Sequence, residues 1–227
     1  MIKNKTYSNK TYDDFLEYER IKFKAKDIAK LKFNSVLDVG CASGLSLYFL
    51  RKTKNYADFL GIDNDQEMID HATDFFSDDK NSEFQLSTIE SLRNDTKFDL
   101  VLLWGLISFY DSYEDLILKI KSHLTETGSI SIWSGFSKSE YDVFVSYSKD
   151  GINNPGLNMF SLPKLIGFLK ANNFTVEVNQ FNPTVPLMKD ASNPLVSYTL
   201  FDNDNNYTIV NGLNVVRDFY HLIVTKN

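Results

Sequence analysis

Two glycines and two carboxylates carry the first chemical signal in this chain. In "SVLDVGCASG" (35–44) an apolar run meets Asp38, then Gly40 and Gly44. Glycine admits positive φ and lets backbone approach a bound group closely, and a helix start favours a negative group beside it. The second carboxylate, Asp63, closes "FLGID" (59–63). It falls roughly 20 residues beyond the glycine turn, where an acid can accept both hydroxyls of a ribose. Small residues in a turn, or an acid such as Asp65 capping a helix, are common for structural reasons alone. Together, at matching strand ends, they point to a ribose-bearing ligand.

Such a site needs a frame that brings several strand ends to one edge. "SVLDV" (35–39), "ADFLGI" (57–62), "FQLS" (84–87), "FDLVLLW" (98–104) and "SISIW" (129–133) read as buried strands. Between them, 43–54, 65–76 and 112–124 read as amphipathic helices, and this alternation predicts βαβ units with a parallel sheet. An N-terminal helix is expected from Thr11 to about Leu31. Ser134–Phe160 is a long polar segment rich in Tyr, Ser and Asn. Ser161 caps a helix with Pro163 in its first turn. "FTVEVNQF" (174–181) and "FYHLIVT" (219–225) read as strands, with "VSYTLF" and "YTIV" as a hairpin around "DNDNN". The expectation is one α/β domain over 1–227: a doubly wound, mostly parallel seven-stranded sheet with an inserted hairpin near the C-terminus. Residues 1–32 would form a helical cap, 33–133 the ligand-binding half and 134–227 the substrate side.

Composition narrows the partners. The 227 residues carry a net charge of -6, which disfavours nucleic acid, since phosphate backbones want clustered basic surface. Cys41 is the lone cysteine, so no intrachain disulfide forms and a reducing cytoplasm fits. The longest apolar run, Leu100–Tyr110, is too short to span a bilayer. The basic N-terminus has no apolar core behind it, so no secretory signal is expected. Neither a membrane nor a metal is expected as a partner.

The chain resembles the class I S-adenosylmethionine-dependent methyltransferases, which are Rossmann-like. "VLDVGCASG" resembles their first motif, "FLGIDNDQEMID" the second, "FQLSTIESL" the adenine-side segment and "FDLVLLWGLISFYD" the fourth-strand motif. "LTETGSISIW" resembles the turn and fifth strand that follow. The resemblance implies S-adenosylmethionine as cofactor, with Asp38, Gly40, Ala42 and Gly44 around its methionine part. Asp63 would hold the ribose hydroxyls, and Asn64 and Met68 would line the adenine. Thr88 and Ile89 would face the adenine edge, with Trp104 and Gly105 beside the sulfonium. Two residues depart from the pattern: Ala42 replaces a middle glycine, and Thr88 stands where an acid commonly meets the adenine amino group. A dinucleotide fingerprint would need glycines at 40, 42 and 45, and Leu45 obstructs the helix packing that the third one serves.

The acceptor is less legible. Tyr110 and Asp111 follow the fourth strand as weak catalytic candidates, though Asp111 could instead cap the helix starting near Ser112. His71, His123 and His221 read as structural or solvent-facing. If the acceptor is anionic, the cations Arg20, Lys138 and Lys149 are available. Tyr12, Tyr18, Arg20, Tyr141 and Tyr147 are candidate substrate contacts. "DVFVSYSKDGINNPGLNMFS" and the segment from "NPLVSYTLFD" onward are similar to methyltransferases of bacterial capsule and surface-polysaccharide pathways. That implies a small-molecule acceptor: an oxygen on a sugar, nucleotide-linked sugar, or phosphorylated or phosphoramidate-type precursor. An N-methyltransferase of an amino sugar, or a non-catalytic S-adenosylmethionine-binding partner protein, remains open on the residues alone.

Overall fold

The structure, a computed structural model, describes residues 19–227 apart from 54, 94, 150, 156, 192, 193 and 205. Seven strands form one sheet: β1 (Ser35–Val39), β2 (Asp58–Asp63), β3 (Ser82–Leu86), β4 (Phe98–Trp104), β5 (Leu124–Phe136), β8 (Phe174–Gln180) and β11 (Asp218–Lys226). Their order is β3-β2-β1-β4-β5-β11-β8. Every pairing from β3 to β5 is parallel, and β11 runs antiparallel to both β5 and β8. The sheet is doubly wound and mostly parallel, with its reversal of order between β1 and β4.

Helices cover both faces, which is why the central strands are unbroken apolar runs. Leu37, Val101 and Leu103 pack toward α4 (Glu114–Ser122) and α5 (Leu162–Ala171). Val36, Leu100 and Leu102 pack toward α1 (Glu19–Ile28) and α2 (Leu45–Lys52). The helix between β2 and β3, α3 (Gln66–Phe75), is capped by Asp65, whose carboxylate accepts from the backbone N–H of Glu67 and Met68. Ser161 caps α5 in the same way through the N–H of Lys164.

Gly61 in β2 marks the tightest packing. A Cβ there would stand 2.7 Å from the Phe84 ring and 2.8 Å from Cys41 Sγ. Gly61→Ala is therefore expected to lower stability by about 1–3 kcal/mol, the cost of overpacking a filled core. A denaturant midpoint equal to wild type would show that the strands can separate to admit a methyl.

Two elements differ from the sequence expectation. β5 begins at Leu124 rather than near Ser129, because its ladder with β4 shifts register between Phe98 and Leu100. That irregularity puts Glu126 and Thr127 in solvent, and their polarity hides the strand. Within the polar 134–160 segment, β6 (Ser146–Lys149) and β7 (Ile152–Pro155) form a small antiparallel hairpin. The other hairpin joins β9 (Ser197–Phe201) to β10 (Tyr207–Asn211), as the turn cluster suggests.

Candidate functional site

The glycine turn and the end of β2 are tied into one unit. Gly40, Ala42 and Gly44 all have positive φ, at 76°, 46° and 88°. The N–H groups of Gly40 and Cys41 both donate to the Ile62 carbonyl. Ala42 N–H donates to Asp63 Oδ2 at 2.9 Å, and Asp65 N–H to Asp63 Oδ1 at 3.0 Å. A carboxylate offers about four acceptor sites, so Asp63, half-buried at the strand end, still has capacity for a ligand's hydroxyls. Gly44 is required for space as well as φ, since a Cβ would lie 2.8 Å from Phe76.

Asp38 is buried below this turn and accepts a hydrogen bond from the Ser46 hydroxyl. Burial pushes its carboxyl up to about 7, against the Ser46 bond and the charge of Lys24. Burial likewise raises the Cys41 thiol, so Cys41 stays protonated as packing.

At the switch point, β4 ends in Trp104 and Gly105. Gly105 has φ 85°, and a Cβ on it would meet no atom of the described residues within 4 Å. Its positive φ turns the chain at the end of β4. Trp104 Nε1 donates to Ser131 Oγ at 2.8 Å, and Ser131 Oγ lies 2.7 Å from His221 Nε2. His221 Nδ1 lies 2.8 Å from Asp27 Oδ2. An indole N–H can only donate, so Ser131 accepts there. An imidazole kept neutral by burial and donating its Nδ1–H to the Asp27 carboxylate has Nε2 as an acceptor, so Ser131 donates to it. The imidazole is then neutral, with its proton on Nδ1 toward Asp27. Burial agrees, holding His221 down to about 4 although Asp27 opposes the shift. Burial works against Asp27's charge, yet Lys30 and His221 keep its carboxyl below the ordinary carboxylate range.

This chain of four side chains fixes the indole, and Lys24 of α1 lies on the ring. Its Nζ is 3.6 Å from the Trp104 centroid and 5.5 Å from that of Trp133. Lys24 is 5% exposed, and burial pushes its ammonium down to about 7, while Asp38 opposes and Arg20 adds to the fall. Sequence reasoning passed over Lys24, Asp27 and Ser131. The available signal was Ile21, Lys24 and Ile28 recurring on one helix face, which puts a lysine at a core position.

The other candidates divide. Asn64 is exposed at the β2 end and Met68 half-buried in the first turn of α3. Thr88 contacts Ser91 through its hydroxyl at 3.2 Å. Ile89 is wholly buried in the core, so backbone is what it can offer a ligand. Burial, and after it the charge of Glu90, raises the Tyr110 phenol, which suits it poorly as a base at neutral pH. Asp111 does not cap α4: its N-cap position is Tyr113, which makes no side-chain cap bond, and Ser112 Oγ one residue earlier accepts from Glu114 N–H at 3.2 Å. Tyr141 is 78% exposed, and Lys138 pairs with Asp218 at 3.3 Å. Tyr12, Tyr18 and the side chain of Lys149 lie outside the described residues. His123 is fully buried with Nδ1 3.0 Å from the Thr96 carbonyl, a structural place. Among the described residues no group of three or more His, Cys, Asp or Glu could hold a metal, and no helix is long and apolar enough to cross a membrane.

The sheet order, the left-handed turn after β1 and the acid ending β2 together give a Rossmann-like fold. Residues 36–128 match the family model described as a methyltransferase domain. Over that stretch the chain is similar to the methyltransferase domain family. Among similar proteins, the ubiquinone biosynthesis O-methyltransferase of Rickettsia typhi is 31% identical over 116 residues. That match covers 50% of this chain and 45% of the Rickettsia protein, so the chain spans about half the length of this curated relative. The YcgJ protein of Bacillus subtilis superposes with a TM-score of 0.64 at 13% identity, over 92% of this chain and 99% of that one. The 1,6-didemethyltoxoflavin-N1-methyltransferase of Burkholderia thailandensis was solved with S-adenosylhomocysteine. It superposes at 0.59 with 15% identity, over 95% and 82% of the two chains. These two likenesses concern the fold.

Proposed function

We propose that this chain methylates a small molecule, and that the acceptor atom is an oxygen. The acceptor we infer is a sugar, nucleotide-linked sugar, or phosphorylated or phosphoramidate-type precursor of the kind used in capsule and surface polysaccharide. The observation that carries the reading is Gly105 at the end of β4, where a Cβ would meet no atom of the described residues within 4 Å, next in the chain to an indole held by Ser131. The O-methyltransferase name of the Rickettsia relative supports oxygen over nitrogen.

The residues present fit the cofactor. Three alternate positive-φ positions, 40, 42 and 44, expose backbone at the helix start, and Asp63 keeps acceptor capacity at the ribose position. Asn64 and Met68 would flank the adenine, with Thr88 and the Ile89 backbone at its edge. When bound, the cofactor supplies a methyl group on a sulfonium, which moves by in-line displacement. Everything else falls to alignment and proton handling by this chain. Trp104, locked by Ser131, His221 and Asp27, walls the acceptor's approach. Lys24 is the base the geometry offers: near neutral pH a substantial fraction is unprotonated and can take a hydroxyl proton.

The test is transfer of labelled methyl from S-adenosylmethionine to a panel of sugar nucleotides, sugar phosphates and matched amino sugars. Label in an alkali-stable O-methyl product is expected. Label on amines alone would contradict the choice of oxygen. No transfer to any small molecule, with S-adenosylhomocysteine still bound, would favour a non-catalytic partner protein.

A further inference from the structure

The packed face of α1 carries a lysine where the helix period calls for an apolar residue. Ile21, Lys24, Asp27 and Ile28 are its buried members. A buried ammonium is costly unless a carboxylate or several hydrogen bonds compensate it. Asp27, the other buried charge of the helix, is committed to His221 and Lys30. Asp38 reaches Lys24 by its charge, and no hydrogen bond joins the two. What lies against the ammonium is aromatic: Nζ stands 3.6 Å from the Trp104 centroid and 5.5 Å from that of Trp133. Two other cations of α1 are placed differently. Arg20 Cζ lies 4.8 Å from the Phe219 centroid, and Lys26 is exposed.

The place of this amine in the fold gives it a chemical meaning. Trp104 ends β4 and Asp38 belongs to β1, and these neighbouring strands flank the reversal of sheet order. Ligands of such sheets bind at the carboxyl ends of the strands at that point. Lys24 therefore touches one wall of the crevice and feels the charge of the other. Burial pushes its ammonium down to about 7, so much of it carries a free lone pair near neutral pH. A lysine desolvated among apolar groups is an activated nucleophile, and an unprotonated amine needs no base, whereas a hydroxyl acceptor does. The two indoles also suit the product, because aromatic faces hold methylated ammonium groups well.

We propose that Lys24 is a self-methylation site: with S-adenosylmethionine bound and no acceptor in place, its Nζ takes the methyl group. The proposal rests on the methyltransferase reading, which supplies the donor. Nζ enters the step as a neutral amine, its proton already released to solvent. Its lone pair forms the new N–C bond as the C–S bond breaks. The electron pair of the broken bond stays on sulfur, which leaves S-adenosylhomocysteine and a charged N-methyl-lysine. An acceptor hydroxyl that gives its proton to Nζ occupies the same atom, so acceptor and self-methylation compete.

The test incubates the whole chain with S-adenosylmethionine alone and follows its intact mass. Gain of one methyl is expected, mapped by fragment spectra to Lys24 and absent from Lys26. The first-order rate constant is expected to survive a roughly tenfold dilution of the protein, because amine and bound donor share one chain. Lys24→Arg keeps a cation on the indole but removes the amine, and is expected to gain no methyl while still binding S-adenosylhomocysteine. Lys24→Met carries that comparison if the arginine variant does not fold. An unchanged mass in a wild-type chain that binds S-adenosylhomocysteine overturns the proposal. So does methyl spread over exposed lysines, a rate constant that falls with dilution, or methyl gain that persists in the variants. Failure of wild type to bind S-adenosylhomocysteine overturns the methyltransferase reading itself, and the proposal with it.

Discussion

Asp63→Ala is expected to weaken binding of S-adenosylhomocysteine by roughly 5- to 150-fold, or about 1–3 kcal/mol, measured by calorimetry. The loss has two sources. Ribose hydroxyls would face a wall that no longer accepts from them. The N–H groups of Ala42 and Asp65 would also lose the carboxylate that ties the turn to the end of β2. Asp63→Asn separates the two, because an amide oxygen can keep one backbone bond while the carboxylate's second acceptor is gone. An intermediate loss is expected for it. Unchanged affinity in both variants would mean that the ribose lies elsewhere.

The second large effect concerns His221. Replacing it with phenylalanine is expected to lower stability by about 3 kcal/mol, because Ser131 and Asp27 lose a buried partner. The wild-type chain should also be acid-sensitive for a definite reason. His221 is held down to about 4 from an ordinary value of 6.5, so the unfolded chain takes up its proton more readily than the fold. The stability due to the neutral imidazole is whole above pH 6.5 and is lost as pH falls through 4. The difference corresponds to about 3 kcal/mol. Denaturant unfolding from pH 7 to pH 4 should show the decline in wild type and a flatter profile in His221→Phe. Parallel declines in both would place the acid-sensitive group elsewhere.

The sequence spoke clearly where one short segment carries a whole signal. Five strands, the glycine turn, Asp63 and the caps at Asp65 and Ser161 each depend on neighbours within a few residues, although the edge strand β3, expected to be buried, has no buried residue. Helix periodicity likewise placed α2 to α5 to within a few positions. What escaped depends on distant partners. Asp27 and His221 are 194 positions apart, and nothing local distinguishes His221 from any strand histidine. Ser131 sits in "SISIW", where it reads as a polar member of an apolar strand. The β6–β7 hairpin is a different case, since "KDGI" (149–152) is an Asp-Gly hairpin signal. Its flanks are polar, and strand readings keyed to buried apolar runs passed it by. Asp111 misled for the opposite reason: an acid before a helix is a good cap in general, but Ser112 stands closer to the first turn of α4.

The proposed activity requires an adenosyl-sulfonium site between the β1 turn and the end of β4. Calorimetric titration of the unmodified chain with S-adenosylhomocysteine, and separately with NADH, tests it most directly. Saturable one-site binding of S-adenosylhomocysteine, competed by S-adenosylmethionine, with no heat from NADH, is the expected result. No binding of S-adenosylhomocysteine, or binding of NADH in its place, would contradict it.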